Sequence, residues 1–188
     1  MQRLFVGLEL PEDVRTRLAL VRGPLPGARW IDEDDLHLTL RFAGDIDNRT
    51  GDELASFLSA IEIDPFEVRI TELGAFGGRD PRTIHAVADG GLALEHLQKA
   101  VERAARSAGL PPEPRAFSPH ITLARLRGTT PEVVARFLGS RGRFVPMTFE
   151  VDRFVLFSSR PRHGGGPYVI EEAFGLGPYS GAGWQPAD

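Results

Sequence analysis

A tetrapeptide pattern, His-x-Thr-x, occurs twice in this chain of 188 residues and constrains both its fold and its chemistry. The first copy begins at His37 and the second at His120, so each half of the chain holds one. Both copies lie in alternating runs of apolar and polar residues, which predict β-strands. Because side chains alternate between the two faces of a strand, the histidine and the threonine of each copy share one face. The residue between them then points into a core.

Two such strands facing each other would surround one small site with four side chains: His37, Thr39, His120 and Thr122. Two imidazoles near neutral pKa can work as a base and an acid, one neutral and one protonated. Opening a 2′,3′-cyclic phosphate requires that pair, because water is deprotonated on one side of phosphorus and the departing ribose oxygen is protonated on the other. The hydroxyls can donate to the non-bridging oxygens. The pattern therefore predicts acid–base cleavage of a phosphodiester without a metal.

Three further side chains near the motifs are candidates for substrate binding. Arg125 is the charged residue nearest the second motif, and its planar fork suits phosphate, so we expect it to bind the phosphate. Arg41 and Arg127 are the alternatives for this role. Phe42 and Phe117 flank the two motifs and are candidates to stack on a nucleobase, with packing in the core as the alternative.

The composition excludes several classes of protein. The chain has no cysteine, which excludes disulfides, thiolate–metal sites and a cysteine nucleophile. The net charge of −4 gives no basic field for duplex nucleic acid, and no apolar run approaches the ~20 residues of a membrane span. No His/Asp/Glu set has the spacing of a metal site. We therefore expect a cytoplasmic monomer that uses no metal or cofactor and does not bind a membrane.

The order of predicted elements indicates an internal duplication. A first strand is followed by helix, His strand, helix, strand and strand, and then the same five-element order occurs again. The predicted helices span 11–23, 48–60, 92–108 and 130–139. The predicted strands span 1–10, 36–42, 65–73, 82–88, 120–126, 144–157 (one long strand or a bent pair) and 168–174, with loops at 74–81 and 158–167.

These elements predict an α+β fold with two lobes related by a pseudo-twofold axis. Because the connections are short and the strands alternate, each half should be a mainly antiparallel sheet with helices on its outer face. The two open faces would form a central cleft with one His-x-Thr pair on each wall. We expect residues 1–175 to form this single bilobal domain, and the Gly/Pro-rich segment 176–188 to be a poorly ordered tail.

Several segments together resemble the 2H phosphoesterase superfamily, in particular the RNA 2′,3′-cyclic phosphodiesterases formerly called 2′-5′ RNA ligases. The segments that carry the resemblance are the opening strand 3–11, Arg29-Trp30 with the first motif block 36–44, the central block 74–76 with 81–82, and the second motif block 117–125. The resemblance covers residues 1–175.

The resemblance implies a bilobal α+β fold and metal-free opening of 2′,3′-cyclic phosphates on RNA ends to 2′-phosphates. It also implies reversible 2′-5′ joining of RNA ends as a side activity. It makes His37 the acid and His120 the base, and it places Arg125 and the two motif threonines at phosphate-binding positions. One departure is His85, where related sequences carry an aromatic residue such as Trp. The resemblance therefore does not assign the residue that forms the base-stacking wall of the cleft.

Two other functions stay open from the sequence. The same fold could act on 2′-5′ oligoadenylate or on a small cyclic nucleotide, because those substrates would differ at the rim of the cleft and not at the motifs. An RNA-end binding protein without catalysis is the third candidate. It is disfavoured because a pure binder needs no pair of titratable imidazoles.

Overall fold

The computed structural model describes residues 2–159 and 168–177, and within them the chain forms four α-helices and nine β-strands. The strands are β1 (Gln2–Glu9), β2 (Ala28–Trp30), β3 (His37–Ile46), β4 (Phe66–Phe76), β5 (Thr83–Asp89), β6 (His120–Leu126), β7 (Met147–Val151), β8 (Arg153–Ser159) and β9 (Val169–Gly175). The helices are α1 (Glu12–Ala19), α2 (Asn48–Ser59), α3 (Gly91–Ser107) and α4 (Pro131–Ser140), and a 3-10 turn, Glu33–Asp35, leads into β3.

The strands fall into two antiparallel groups of four. One group has the order β7-β4-β5-β6 and the other the order β3-β1-β8-β9. The sequence predicts two sheets, and the structure joins them into one through a single pair between β3 and β6, Leu38 opposite Ile121. The short strand β2 pairs with β6 farther along the same edge. Each His-x-Thr motif therefore lies on the inner strand of its own group, at the junction.

The main core lies between the sheet and the helices. Leu38 and Ile121, the residues between His and Thr in the two motifs, are fully buried there, as the alternation predicts. The apolar stripe of α3 contributes Leu94, Leu97 and Val101 to the same core. A second, smaller apolar cluster stands on the opposite face of the sheet and consists of Phe5, Val155 and Phe157, with Tyr168 packed against it. The opposite face is the one that carries the motif histidines.

Two of the helices begin at side-chain caps. The carboxylate of Asp47 accepts a hydrogen bond from the amide of Thr50 at the start of α2. The hydroxyl of Thr130 accepts from the amide of Val133 at the start of α4, where Pro131 occupies the first helical position. These contacts fix where the second and fourth predicted helices begin.

Two predicted boundaries differ from the structure. The first helix ends at Ala19 and not near Gly23. The predicted loop 74–81 begins later, because β4 continues to Phe76 and pairs with β5 as far as Thr83. On α2, Phe57 is 44% exposed because it faces away from the sheet side, where Leu54 and Leu58 lie.

The predicted segment 144–157 forms two strands, β7 and β8, which pair in different groups of the sheet. The first strand, β7, pairs with β4 at one end of the sheet, and β8 pairs with β1 in the other group. After the second His strand, the chain thus returns to the group that contains the first His strand, β3. Most of the predicted loop 158–167 lies outside the described residues, as does nearly all of the predicted tail from Pro178 onward.

Candidate active site at the β3–β6 junction

The antiparallel junction brings the two motifs together on one face. Since Leu38 lies opposite Ile121, the register sets His37 opposite Thr122 and Thr39 opposite His120. Directly opposite side chains have Cβ atoms about 5 Å apart, and diagonal neighbours about 7–8 Å apart. The two imidazoles are therefore diagonal partners on one face of the sheet. The sequence predicts this grouping, and the structure brings all four side chains together.

Both motif histidines are held by the backbone in the same way. The Nδ1 atom of His37 lies 2.8 Å from the carbonyl oxygen of Asp35, and that of His120 lies 2.7 Å from the carbonyl oxygen of Ser118. A carbonyl can only accept, so Nδ1 carries a proton in both rings and donates it. In each ring, Nε2 is therefore the nitrogen that can take or give the reacting proton. The sequence analysis missed these contacts, because they depend on the backbone two residues before each histidine.

An apolar wall surrounds His37. Its ring centroid lies 4.8 Å from that of Phe5, 5.7 Å from Phe157 and 5.1 Å from Tyr168. Burial in this wall lowers the pKa of His37 below its ordinary value, the positive charges of Arg125 and His120 add to that, and the bond to the Asp35 carbonyl opposes it. Without substrate, the imidazole of His37 is therefore biased toward its neutral form.

Two hydrogen bonds complete the surroundings of His37. Its Nε2 atom is 2.9 Å from the hydroxyl oxygen of Thr39, a contact within one motif that alternation along the strand makes possible. The carboxylate of Asp35 accepts from the amide of Tyr168 at 2.9 Å, which ties the turn before β3 to the start of β9. Burial raises the pKa of Asp35, and the bond from Tyr168 opposes that rise.

His120 has a different neighbourhood, built from one aromatic ring and a third histidine. The rings of Phe76 and His85 stack with centroids 4.0 Å apart, and both meet the ring of His120 edge-on, at 4.8 and 5.3 Å. His85 faces the cleft side and is only 4% exposed. Gly74 stands opposite it on β4, where a Cβ would lie 2.9 Å from the Nε2 atom of His85, so a glycine makes room for the ring.

His85 is held as a neutral imidazole. Burial, with a smaller contribution from the charge of His120, lowers the pKa of His85 to about 4. Its Nδ1 atom is buried and has no hydrogen-bond partner in the described structure. The ring therefore packs against the base candidate as an uncharged aromatic group, in the position where the resemblance suggests a Trp.

A β-bulge follows the threonine of each motif at the same place. In β6, His85 pairs with Thr122 and Ile84 with Ala124, which leaves Leu123 as the extra residue. In β3, Gly7 pairs with Thr39 and Val6 with Arg41, which leaves Leu40 as the extra residue. Each bulge reverses the alternation of side chains beyond it.

The bulges decide which of the candidate residues face the site. Strict alternation would put Arg125 on the core side of β6, and the bulge moves this exposed side chain to the face of His120 and Thr122. The equivalent position after the first motif is Phe42, which is 51% exposed and lies 5.8 Å from the ring of Phe5. The two motifs thus place a cation at one end of the site and an aromatic ring at the other.

Two other candidates lie elsewhere. Arg41 is 6% exposed on the core side, where it forms an ion pair with Glu102 and donates to the carbonyl oxygen of Pro111, so it is wrong as an alternative phosphate ligand. Phe117 is half-buried and packs against the main core, which fits its packing role. Arg127 is exposed just beyond the end of β6.

The sequence matches a known family over most of its length. The family model of the 2′-5′ RNA ligase superfamily matches residues 10–162. The chain belongs to this superfamily. The resemblance predicted from the motif blocks is thereby confirmed.

Curated relatives carry a common name. The RNA 2′,3′-cyclic phosphodiesterase of Thermus thermophilus is 32% identical over 189 residues, which cover 93% of this chain and 90% of the relative. The protein of the same name from Bacillus subtilis is 33% identical over 127 residues, 64% of this chain and 69% of the relative. For that from Aeropyrum pernix, 35% identity extends over 102 residues, and the match spans 58% of the relative's length.

Solved structures confirm the fold. Escherichia coli LigT complexed with 3′-AMP has a TM-score of 0.77 at 24% identity, covering 93% of this chain and 98% of that one. The protein TT0787 of Thermus thermophilus has a TM-score of 0.75 at 26% identity, covering 93% and 97%. The predicted α+β class is therefore correct.

Metal sites and membrane-spanning helices are absent from the part of the chain that the structure describes. Within residues 2–159 and 168–177, no group of three or more His, Asp or Glu side chains is placed to hold a metal ion. Every helix in the same residues is too short or too polar to cross a bilayer.

Proposed function

We propose that this protein hydrolyses 2′,3′-cyclic phosphates at RNA ends to 2′-phosphates, with no metal ion. The observation that carries the proposal is the diagonal pair of imidazoles across the β3–β6 junction, each with Nδ1 bonded to a carbonyl and Nε2 directed to the chemistry. The relatives named RNA 2′,3′-cyclic phosphodiesterase support the substrate. We expect the enzyme to act as a monomer in the cytoplasm.

The reaction needs one proton transfer on each side of phosphorus. The Nε2 atom of His120 takes a proton from water as the water oxygen bonds to phosphorus. The bond from phosphorus to the 3′ oxygen breaks, and Nε2 of protonated His37 gives its proton to that oxygen. The product keeps the phosphate on the 2′ oxygen, and exchange of protons with solvent restores both histidines.

The charge on the non-bridging oxygens grows during this reaction and must be met by donors already in place. The hydroxyls of Thr39 and Thr122 stand beside the histidines, and Arg125 reaches the same face because of the bulge at Leu123. The guanidinium of Arg125 adds a positive charge at the end of the site where His37 lies opposite Thr122.

The same site supports a slow joining reaction. If the 5′-hydroxyl of a second RNA end takes the place of water, the bond formed at phosphorus is a 2′-5′ phosphodiester and the 3′ oxygen leaves as before. The reverse reaction uses the two histidines with their roles exchanged. We propose this joining as a side activity of the hydrolase.

An oligonucleotide that ends in a 2′,3′-cyclic phosphate, incubated with the purified protein in excess EDTA and without ATP, tests the proposal. We expect complete conversion to the 2′-phosphate, identified by its resistance to an enzyme that removes only 3′-phosphates. A 3′-phosphate product would contradict the direction of ring opening, and activity that returns only with Mg²⁺ or Mn²⁺ would contradict the metal-free mechanism. Binding of the end without turnover would favour the non-catalytic alternative.

A further inference from the structure

Arg29 stands beside the site in a position that no part of the mechanism uses. It lies on β2 directly opposite Arg125 on β6, so the two side chains share one face of the sheet. Both are exposed. Opposite residues of an antiparallel pair have Cβ atoms about 5 Å apart, and like charges at this distance destabilise the pair. An anion bound beside the two guanidinium groups would offset this repulsion.

Within residues 2–159 and 168–177, no carboxylate pairs with either of the two arginines. In the described part of the chain, neither Arg29 nor Arg125 takes part in an ion pair or a side-chain hydrogen bond. The acidic turn that follows β2 is engaged elsewhere, in contacts of Glu33 with the hydroxyl of Thr16, Asp34 with Arg15, and Asp35 with the amide of Tyr168. The arginines are therefore available to an anion from solution.

The direction of Arg29 is fixed by its neighbour. Trp30 pairs with Ala124 and points to the other face, where its ring centroid lies 5.6 Å from that of Phe137 in the main core. Since successive side chains of a strand alternate, the half-buried Trp30, which packs against the main core, holds Arg29 on the face of the site. Arg29 thus lies directly opposite Arg125, on the neighbouring strand β2, and on the same face of the sheet.

We propose that Arg29 binds a second phosphate, the phosphodiester adjoining the terminal nucleotide of an RNA strand, while Arg125 beside it binds the cyclic phosphate. This inference rests on the proposed function and names its substrate class as an oligoribonucleotide end and not a mononucleotide. A cyclic phosphate carries one negative charge, which Arg125 with the two motif threonines can meet. The guanidinium of Arg29, which has no partner among the described residues, suits the next phosphate of the RNA strand.

Three substrates separate the second phosphate from the first. They are a nucleoside 2′,3′-cyclic phosphate, a dinucleotide with the same cyclic end, and that dinucleotide with an uncharged methylphosphonate in place of its internal phosphodiester. The proteins compared are wild type, Arg29→Gln, Arg29→Lys and, as a matched control, Arg103→Gln, which removes one exposed arginine from α3 far from the site.

For wild type we expect kcat/KM on the natural dinucleotide to exceed that on the methylphosphonate by about tenfold, the size of one charged hydrogen bond. Arg29→Gln should abolish this difference, Arg29→Lys should retain part of it, and Arg103→Gln should retain all of it. The slope of log kcat/KM against log salt on the natural dinucleotide should flatten by about 0.7 in Arg29→Gln, because one phosphate contact on a single strand is lost.

The inference is overturned if wild type treats the natural and methylphosphonate dinucleotides alike. It is also overturned if Arg29→Gln lowers turnover of the mononucleotide as much as that of the dinucleotide, since Arg29 would then contact the cyclic phosphate itself. Failure of the proposed function looks different, because wild type would then open none of the three cyclic phosphates.

Discussion

The two halves of the site share one local design and differ in what surrounds it. In both, a histidine donates through Nδ1 to the carbonyl two residues earlier, a threonine follows on the same face, and a bulge comes after it. His37 stands in a wall of phenylalanine and tyrosine rings and is bonded to its own threonine. His120 stands against Phe76 and a third histidine.

The comparison separates what duplication supplies from what divergence adds. The shared design fixes Nδ1 of both imidazoles and leaves Nε2 of each for proton transfer, which is what an acid–base pair needs. The differences give direction: two positions after the bulge residue stands Phe42 in one half and Arg125 in the other, so a substrate meets an apolar end and a cationic end. A symmetric site would have no means to tell the phosphate side of a nucleotide from its base side.

The largest effect should come from the shared part. We expect His37→Ala and His120→Ala each to lower kcat by ~10²–10⁴, the usual contribution of one positioned acid or base. The double variant should lose much less than the product of the two single losses, because the histidines act as a unit. Single-turnover assays on a cyclic-phosphate oligonucleotide measure this. Full activity in either single variant would end the assignment of that histidine.

The next largest effect on the kinetic constants should come from Arg125 and Phe42, the two residues that differ between the halves beyond the bulges. Arg125→Ala should raise KM and lower kcat together, with kcat/KM falling about 10–100-fold, since the charge it meets grows in the transition state. Arg125→Lys should recover only part, because a point charge replaces a planar fork. Phe42→Ala should instead raise KM by about tenfold and leave kcat near wild type, as expected when a stacked base is lost.

The contrast between these two substitutions is the measurement that matters. Steady-state kcat and KM on one dinucleotide substrate give it directly, with Arg103→Gln as the control for a change of charge alone. If Arg125→Ala and Phe42→Ala changed the two constants in the same proportion, the site would have no distinct cationic and apolar ends.

The acid and base can be told apart by the wall around His37. Because burial lowers the pKa of His37, its limb in the pH profile of kcat/KM should lie below the ordinary value for histidine. Phe5→Leu thins the wall, so the pKa should rise and that limb should move to higher pH. With His37 as the acid, the limb that moves is the one where activity falls as pH rises. Movement of the opposite limb would make His37 the base.

Much of the fold and most of the site could be predicted from the sequence. The period of two around His37 and His120 predicted both strands and their buried partners Leu38 and Ile121, because a half-buried strand leaves that signal locally. The α+β class and the order of elements followed from the same signal. The pairing of Leu38 with Ile121 that joins the halves is a long-range contact, and no local pattern encodes it.

The rest depended on backbone features that local patterns hide. The bulge at Leu40 leaves an uninterrupted polar–apolar run, so the sequence did not show that Arg41 turns into the core. In β6 the consecutive apolar residues Leu123 and Ala124 mark the equivalent bulge, which turns Arg125 toward the site. Gly74 was predicted to begin a loop because glycine is rare in strands. In the structure it lies within β4 and leaves space for His85.

The smallest effect concerns His85, which sets the second wall apart from the first. With a folded-state pKa of about 4 against an ordinary value near 6.5, His85 stays neutral in the folded protein while the unfolded chain takes up its proton. The free energy of unfolding should therefore be independent of this group above pH 6.5 and fall as pH drops from 6.5 toward 4, by on the order of 2 kcal/mol.

His85→Phe fills the same space over Gly74 and cannot titrate, so its free energy of unfolding should fall correspondingly less between pH 7 and pH 5. Denaturant titrations of both proteins at the two pH values measure the difference, while kcat at pH 7 should change little, because an uncharged ring still packs against His120. An equal acid loss in both proteins would show that His85 is protonated in the folded state or exposed to water, and a large fall in kcat would mean that its unpaired nitrogen takes part in the chemistry.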